Sequence, residues 1–257
     1  MALLQITYRS QALQRNVPLQ VILPTDNWTE DGKFLPEKKF KTLYLLHGYL
    51  GNCSSWVSNT RIQRWAEAHD LAVVMPSGDN SFFVDQPATG NCYGQFIGEE
   101  LVEMTRRMFP LSHKREDTFL GGLSMGGFGA MRNGLKYWDT FGAVISFSGA
   151  LALFEDTSPT EENRAFAEGL FGDLEKAMES DKNPVWLAKQ LAGKKDLPKI
   201  YICCGTEDPL LPCSRGYRDL LKACGIDCTY EEAPGGHDWD FWDTYIKKVI
   251  DWLPLDK

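Results

Sequence analysis

The stretch "TFLGGLSMGGFGAMR", residues 118–132, sets one hydroxyl, Ser124, among glycines at the spacing GxSxG. That spacing suits a nucleophile, because a serine held in a sharp strand-to-helix turn needs neighbours two positions away that carry no clashing side chain. The helix that follows then points its first N–H groups at whatever is bound beside the serine. Across residues 125–138 the pattern is helical, yet Gly126, Gly127, Gly129 and Gly134 fall inside it. Each costs about 1 kcal/mol relative to alanine. Gly122 and Gly126 would clear space for the serine, Gly127 and Gly129 would bring the helix close to the sheet, and Gly134 has only helix packing to explain it.

A serine nucleophile of this kind works with a histidine base and an acid that orients it, in the chain order serine, acid, histidine. Of the four histidines, His237 fits, in the glycine-rich loop "APGGHDWD" after the last predicted strand. His69 ends a predicted helix and His113 lies in the charged connector "LSHKRED", so both read as surface residues; His47 precedes Ser124, in the wrong order for the base. The loop "TEDPLLP" after the strand "KIYICCG" offers Glu207 and Asp208 as the acid. Neighbours cannot both aim at His237. Asp208 is favoured, since Pro209 fixes the chain beyond it and its short side chain suits a fixed turn, with Glu207 as the alternative. An oxyanion hole needs two N–H donors. Met125 supplies one directly after the nucleophile, and the loop "HGYLGN" the other, Tyr49 before Leu50.

The elements that would hold these groups alternate. "LLQITYRS" and "VPLQVILP" form an expected antiparallel pair, a polar segment spans residues 26–39, and "KTLYLLHG" is a continuous apolar run suited to a strand buried on both faces. Thereafter strands ("LAVVMPSG", "TFLGGLS", "FGAVISFSG", "PKIYICCG", "IDCTYEEA") alternate with helical patterns. This is the signature of a single α/β domain, residues 1–257, with a mostly parallel sheet and helices on both faces. The rhythm breaks over 151–196, where polar helix-like pieces with Pro159 and Pro184 read as an insertion over one end of the sheet. In the closing helix Trp239, Trp242, Ile246, Val249, Ile250 and Leu253 share one face.

Composition narrows the partners. With 27 Lys+Arg against 35 Asp+Glu, a net charge of −8 repels a phosphate backbone, so no nucleic acid partner is expected. The start "MALLQITYRS" lacks a basic n-region and no segment is apolar for the roughly 18 residues a membrane span needs. A cytoplasmic protein with no membrane partner is the expectation. The seven cysteines form no CxxC and none has a histidine close in sequence, which argues for reduced thiols filling core space and no metal site. Trp56, Phe82, Phe83, Phe154 and Trp239 fall on loops expected at the carboxyl ends of the strands, where open α/β sheets bind ligands. Trp56 and Trp239 are the candidate substrate contacts, and the long loop "PSGDNSFFVDQPATGNCYG" is expected to line the pocket.

Taken together these residues resemble the esterase D group of α/β-hydrolases, most closely its bacterial tributyrin esterase branch of short-chain carboxylesterases. The resemblance runs nearly end to end and rests on "YLLHGYLGN" with the "SSW" that follows, "KREDTFLGGLSMGGFGAM", "SFSGAL", "CCGTEDPLL" and "GGHDWDFW". It implies an α/β-hydrolase fold with an eight-stranded, mostly parallel sheet and a small lid-like insertion. By position it implies Ser124 as nucleophile, Asp208 as acid, His237 as base and the N–H groups of Tyr49 and Met125 as oxyanion hole, and so selects Asp208 over Glu207. The implied activity is hydrolysis of a small-molecule ester through an acyl-enzyme, with no cofactor and no metal. The same resemblance takes in S-formylglutathione hydrolases, feruloyl and acetyl esterases of plant-polymer degradation, and mycolyltransferases. Thioester hydrolysis or acyl transfer is therefore the alternative; the histidine of "LLHG" and the chain length favour the esterases. A non-catalytic binder would have no need of all three triad residues. The oligomeric state is open, a homo-oligomer included.

Overall fold

Each predicted apolar run becomes a strand: β1 (Ala2–Ser10), β2 (Arg15–Leu23), β3 (Thr42–Leu46), β4 (Ala72–Pro76), β5 (Thr118–Leu123), β6 (Ala143–Phe147), β7 (Lys199–Gly205) and β8 (Cys228–Ala233). In this computed structural model, which describes residues 1–26, 28–33, 38–154 and 161–255, they form one eight-stranded sheet in the order β1-β2-β4-β3-β5-β6-β7-β8. Part of the polar segment expected over 26–39, and Pro159 of the expected insertion, lie outside the described residues. β1 pairs antiparallel with β2 and β2 with β4, and every pairing from β4 to β8 is parallel.

Helices cover both faces, which is why the central strands read as unbroken apolar runs. On β3, Leu43 and Leu45 join one core layer, with Ile62 and Ala66 of the helix Ile62–Ala68 and Ile246 and Val249 of the last helix (Trp239–Trp252). Tyr44 and Leu46 join the other, with Leu101 of the helix Leu101–Met108 and Phe128, Met131 and Leu135 of the helix after β5 (Met125–Lys136). Burying each such side chain stabilises by roughly 1.5–3 kcal/mol. The parallel strands all present their carboxyl ends on one edge, and the loops there carry the candidate groups.

One glycine expectation is corrected by the packing. A Cβ on Gly129 would meet Phe83 Cδ2 at 2.5 Å, so this glycine admits a loop side chain to the helix and does not serve sheet contact. Gly134 serves helix packing, as expected: a Cβ there would lie 2.2 Å from Val144 Cγ2 of β6.

The described part of the 151–196 segment holds three helices, Glu161–Phe171, Leu174–Met178 and Pro184–Gln190. Its second half is docked. The buried Arg132 guanidinium reaches the Asp181 carboxylate at 2.9 Å and carbonyl at 2.7 Å, and the Tyr217 hydroxyl donates to the Pro184 carbonyl at 2.9 Å.

Candidate active site

Ser124 sits where β5 hands over to its helix, with φ 53° and ψ −116°, a conformation that non-glycine residues avoid. The turn is possible because its neighbours lack side chains. A Cβ on Gly122 would stand 2.3 Å from the Gly126 carbonyl oxygen, and one on Gly126 would stand 2.5 Å from that of His47.

Two loops at the same sheet edge complete a hydrogen-bonded chain. His237, between β8 and the last helix, has Nε2 3.0 Å from Ser124 Oγ and Nδ1 2.9 Å from Asp208 Oδ2. Asp208 follows β7, and its side chain is buried. Burial pushes its pKa up, but hydrogen bonds from His237, Ser148 and the Leu210 N–H outweigh this and hold the carboxyl below the usual aspartate value. Glu207 points elsewhere: it is exposed, accepts the Gly235 N–H at 2.5 Å, and its own N–H donates to the Gly235 carbonyl at 3.1 Å. It clamps the loop that carries His237.

The donor side is equally defined. Gly48 packs on the elbow, where a Cβ would lie 3.5 Å from Ser124 Cβ. Leu50 N–H is taken by Asn80 Oδ1 at 2.8 Å. Among the described residues, the N–H groups of Tyr49 and Met125 meet no protein acceptor.

The sequence pattern of the "Putative esterase" family matches residues 10–251. The chain belongs to this esterase family. It is 43% identical to an acetyl esterase of Caldicellulosiruptor saccharolyticus over 98% of both chains. Among solved structures it is similar to the Staphylococcus aureus fluorophosphonate-binding serine hydrolase F with substrate bound (TM-score 0.87, 32% identity, 99% of both chains). It is likewise similar to the S-formylglutathione hydrolase apoenzyme of the same organism (TM-score 0.84, 32% identity, 98% of both chains). The fold is that of the α/β-hydrolases, and the chain is a carboxylic ester hydrolase.

In this esterase the expected substrate contacts divide. Trp239 lines a cleft of about 560 Å³ beside Ser124 and His237, together with Tyr49, Leu50, Ser55 and Asn59. Trp56 does not reach it: the ring is 1% exposed, its Nε1–H donates to the Leu46 carbonyl at 2.9 Å, and it stands edge-on behind Trp239 at 5.6 Å. Its place is in the core. Phe82 and Phe83 are buried too, and Phe154 packs on Phe171 at 4.7 Å.

Sequence reasoning passed over two residues of the esterase. His47, set aside as a base, donates from Nδ1 to the Gly48 carbonyl at 2.7 Å and accepts the Gly78 N–H on Nε2 at 2.8 Å. Burial pushes its pKa down, so the ring is a neutral brace under the donor loop. Ser148, in the quoted "SFSGAL", is buried, has φ 46° and supports Asp208. His113 is exposed, and His69 is half-buried with Nε2 3.2 Å from Asp251. Among the described residues no group of three or more His, Cys, Asp or Glu side chains is placed to hold a metal ion.

Proposed function

We propose that this esterase hydrolyses short-chain acyl esters through Ser124, His237 and Asp208. The observation that carries the reading is the unbroken chain Ser124 Oγ, His237, Asp208, with links of 3.0 and 2.9 Å at the mouth of a cleft. His237 Nε2 takes the hydroxyl proton as Oγ adds to the ester carbonyl carbon. The negative charge that develops on the carbonyl oxygen is met by the Tyr49 and Met125 N–H groups. Collapse expels the alcohol, which takes the proton from His237. Water then gives a proton to His237 as it attacks the acyl-enzyme, and the carboxylic acid leaves with Ser124 restored. Asp208 stays ionised throughout and holds the imidazole in the tautomer that presents a bare Nε2.

The 43% identity to an acetyl esterase supports a short acyl group. Placement with the tributyrin esterases inside the esterase D group belongs to this proposal. Cytoplasmic action belongs to it as well, in keeping with seven cysteines that are all free thiols; among the described residues no helix is long and apolar enough to cross a membrane.

Likeness to an S-formylglutathione hydrolase favours a second reading, thioester hydrolysis on the same groups. A panel of esters from acetyl to octanoyl, with a feruloyl ester and S-formylglutathione, separates the two. The highest kcat/KM on acetyl or butyryl esters is the expected result. A large preference for the thioester would overturn the ester assignment.

A further inference from the structure

We infer that Asn80 is a positioning residue for the oxyanion: by taking up the Leu50 N–H it leaves the Tyr49 N–H as the donor that the loop offers beside Ser124. The inference rests on the serine mechanism proposed above.

The donor loop is a turn closed by the Gly51 N–H on the Gly48 carbonyl at 3.1 Å, a bond that ties the ends of the turn and not its central Tyr49–Leu50 peptide. Leu50 has φ 62° and is 81% exposed, so neither its backbone preference nor burial keeps it there. Further support comes from one segment after β4. The Cys53 N–H donates to Ser77 Oγ at 3.1 Å, the Gly78 N–H donates to His47 Nε2 at 2.8 Å, and the Leu50 N–H donates to Asn80 Oδ1 at 2.8 Å. The first two hold the ends of the loop. The third acts in the middle, on the peptide plane that joins Tyr49 to Leu50.

That plane carries the Leu50 N–H and the Tyr49 carbonyl, so its rotation would swing both relative to the Tyr49 N–H, which lies in the preceding plane. With the Leu50 N–H engaged, the Tyr49 N–H is the one of the two that meets no acceptor among the described residues, and the turn is locked before substrate arrives. Such preorganisation is what makes an oxyanion hole effective, because donors that must reorient during the reaction give back part of their stabilisation.

The brace is itself fixed. Asp79, with φ 45°, accepts from the Arg15 guanidinium and the Tyr93 hydroxyl at 2.6 Å each, and Ser81 Oγ donates to the Gly78 carbonyl at 2.6 Å. Phe82 and Phe83 continue the segment at φ 52° and 55°. Conformations this unfavourable persist only where surroundings over-determine them, and here they surround one acceptor oxygen.

The test is Asn80→Ala. The expected result is a kcat lower by about tenfold, less than the 10²–10³ for deleting a donor outright, with KM within about twofold. The inhibition constant of a trifluoromethyl ketone, which forms a tetrahedral oxyanion on the serine, should rise by the same factor. Endpoint labelling by a fluorophosphonate should still reach one per chain, and hydrogen exchange of the Leu50 amide should quicken. A merely structural role would lower the labelled fraction but not turnover per labelled site. Unchanged kcat per site and unchanged ketone affinity would overturn the inference. If Asn80→Ala does not fold, Asn80→Ser, whose hydroxyl is too short to keep the bond, takes its place with the same two outcomes. Turnover by Ser124→Ala would sink the mechanism itself, so the two failures are distinct.

Discussion

The Trp242 indole N–H donates to Ser148 Oγ at 3.2 Å, and the same indole stands edge-on to the His237 ring at 4.9 Å. Ser148 in turn hydrogen-bonds the Asp208 carboxylate. One tryptophan therefore steadies His237, the proposed base, directly and Asp208, the proposed acid, through a buried hydroxyl. Ser148→Ala removes a donor to a buried carboxylate and leaves the indole N–H unpaired, so it should destabilise by about 1–3 kcal/mol. Urea unfolding at neutral pH measures this; a change under about 0.5 kcal/mol would mean that water replaces the hydroxyl.

Ser124 links function to strain. Ser124→Ala should lower kcat by about 10⁶, since triad members act as a unit. Ser124→Gly should be equally inactive yet more stable than the wild type by about 1 kcal/mol, because glycine accepts the positive φ that serine adopts at a cost. Thermal unfolding of the two variants checks the ordering glycine above alanine. The reverse order would show that the turn is unstrained.

Asp208 is held below the usual aspartate value by its hydrogen bonds, so the carboxylate that faces His237 stays ionised down through that value. Asp208→Asn should keep the geometry and lose about 10⁴ in kcat by favouring the wrong imidazole tautomer.

What could be read without coordinates follows from where the physical constraint lies. Ser124, Gly122 and Gly126 were legible because a steric rule ties three residue types to adjacent positions. The meeting of His237 and Asp208 beside Ser124 was legible because sheet order dictates chain order, and β3 to β7 because burial on both faces leaves unbroken apolar runs. Trp56 was misplaced since its burial depends on Phe147 and Trp239, from distant elements. His47 was passed over for the same reason: its partner, Gly78, lies 31 residues along the chain, and nothing in the local pattern announces it. Asp238 caps the closing helix by accepting the Phe241 N–H at 3.0 Å, which leaves His237 in the loop.

His47 gives a prediction that concerns stability alone. Burial lowers its pKa from the ordinary value of 6.5, while the unfolded chain keeps that value. Below about 6.5 the unfolded state therefore binds a proton that the folded state refuses, and folding stability should decline as pH falls through this range toward the folded value. Above it both states are neutral and the contribution is fully present. Asp208 shows the same sign in a lower window: its folded pKa lies below the ordinary 3.8, so its contribution is present above that value and lost only on further acidification. The two windows are separable by chemical unfolding between pH 8 and 5, where Asp208 contributes no slope. His47→Gln should flatten the curve in that range and lower stability at pH 8, because the Gly78 N–H loses a well-placed acceptor. An equally steep curve in the variant would assign the slope to another histidine.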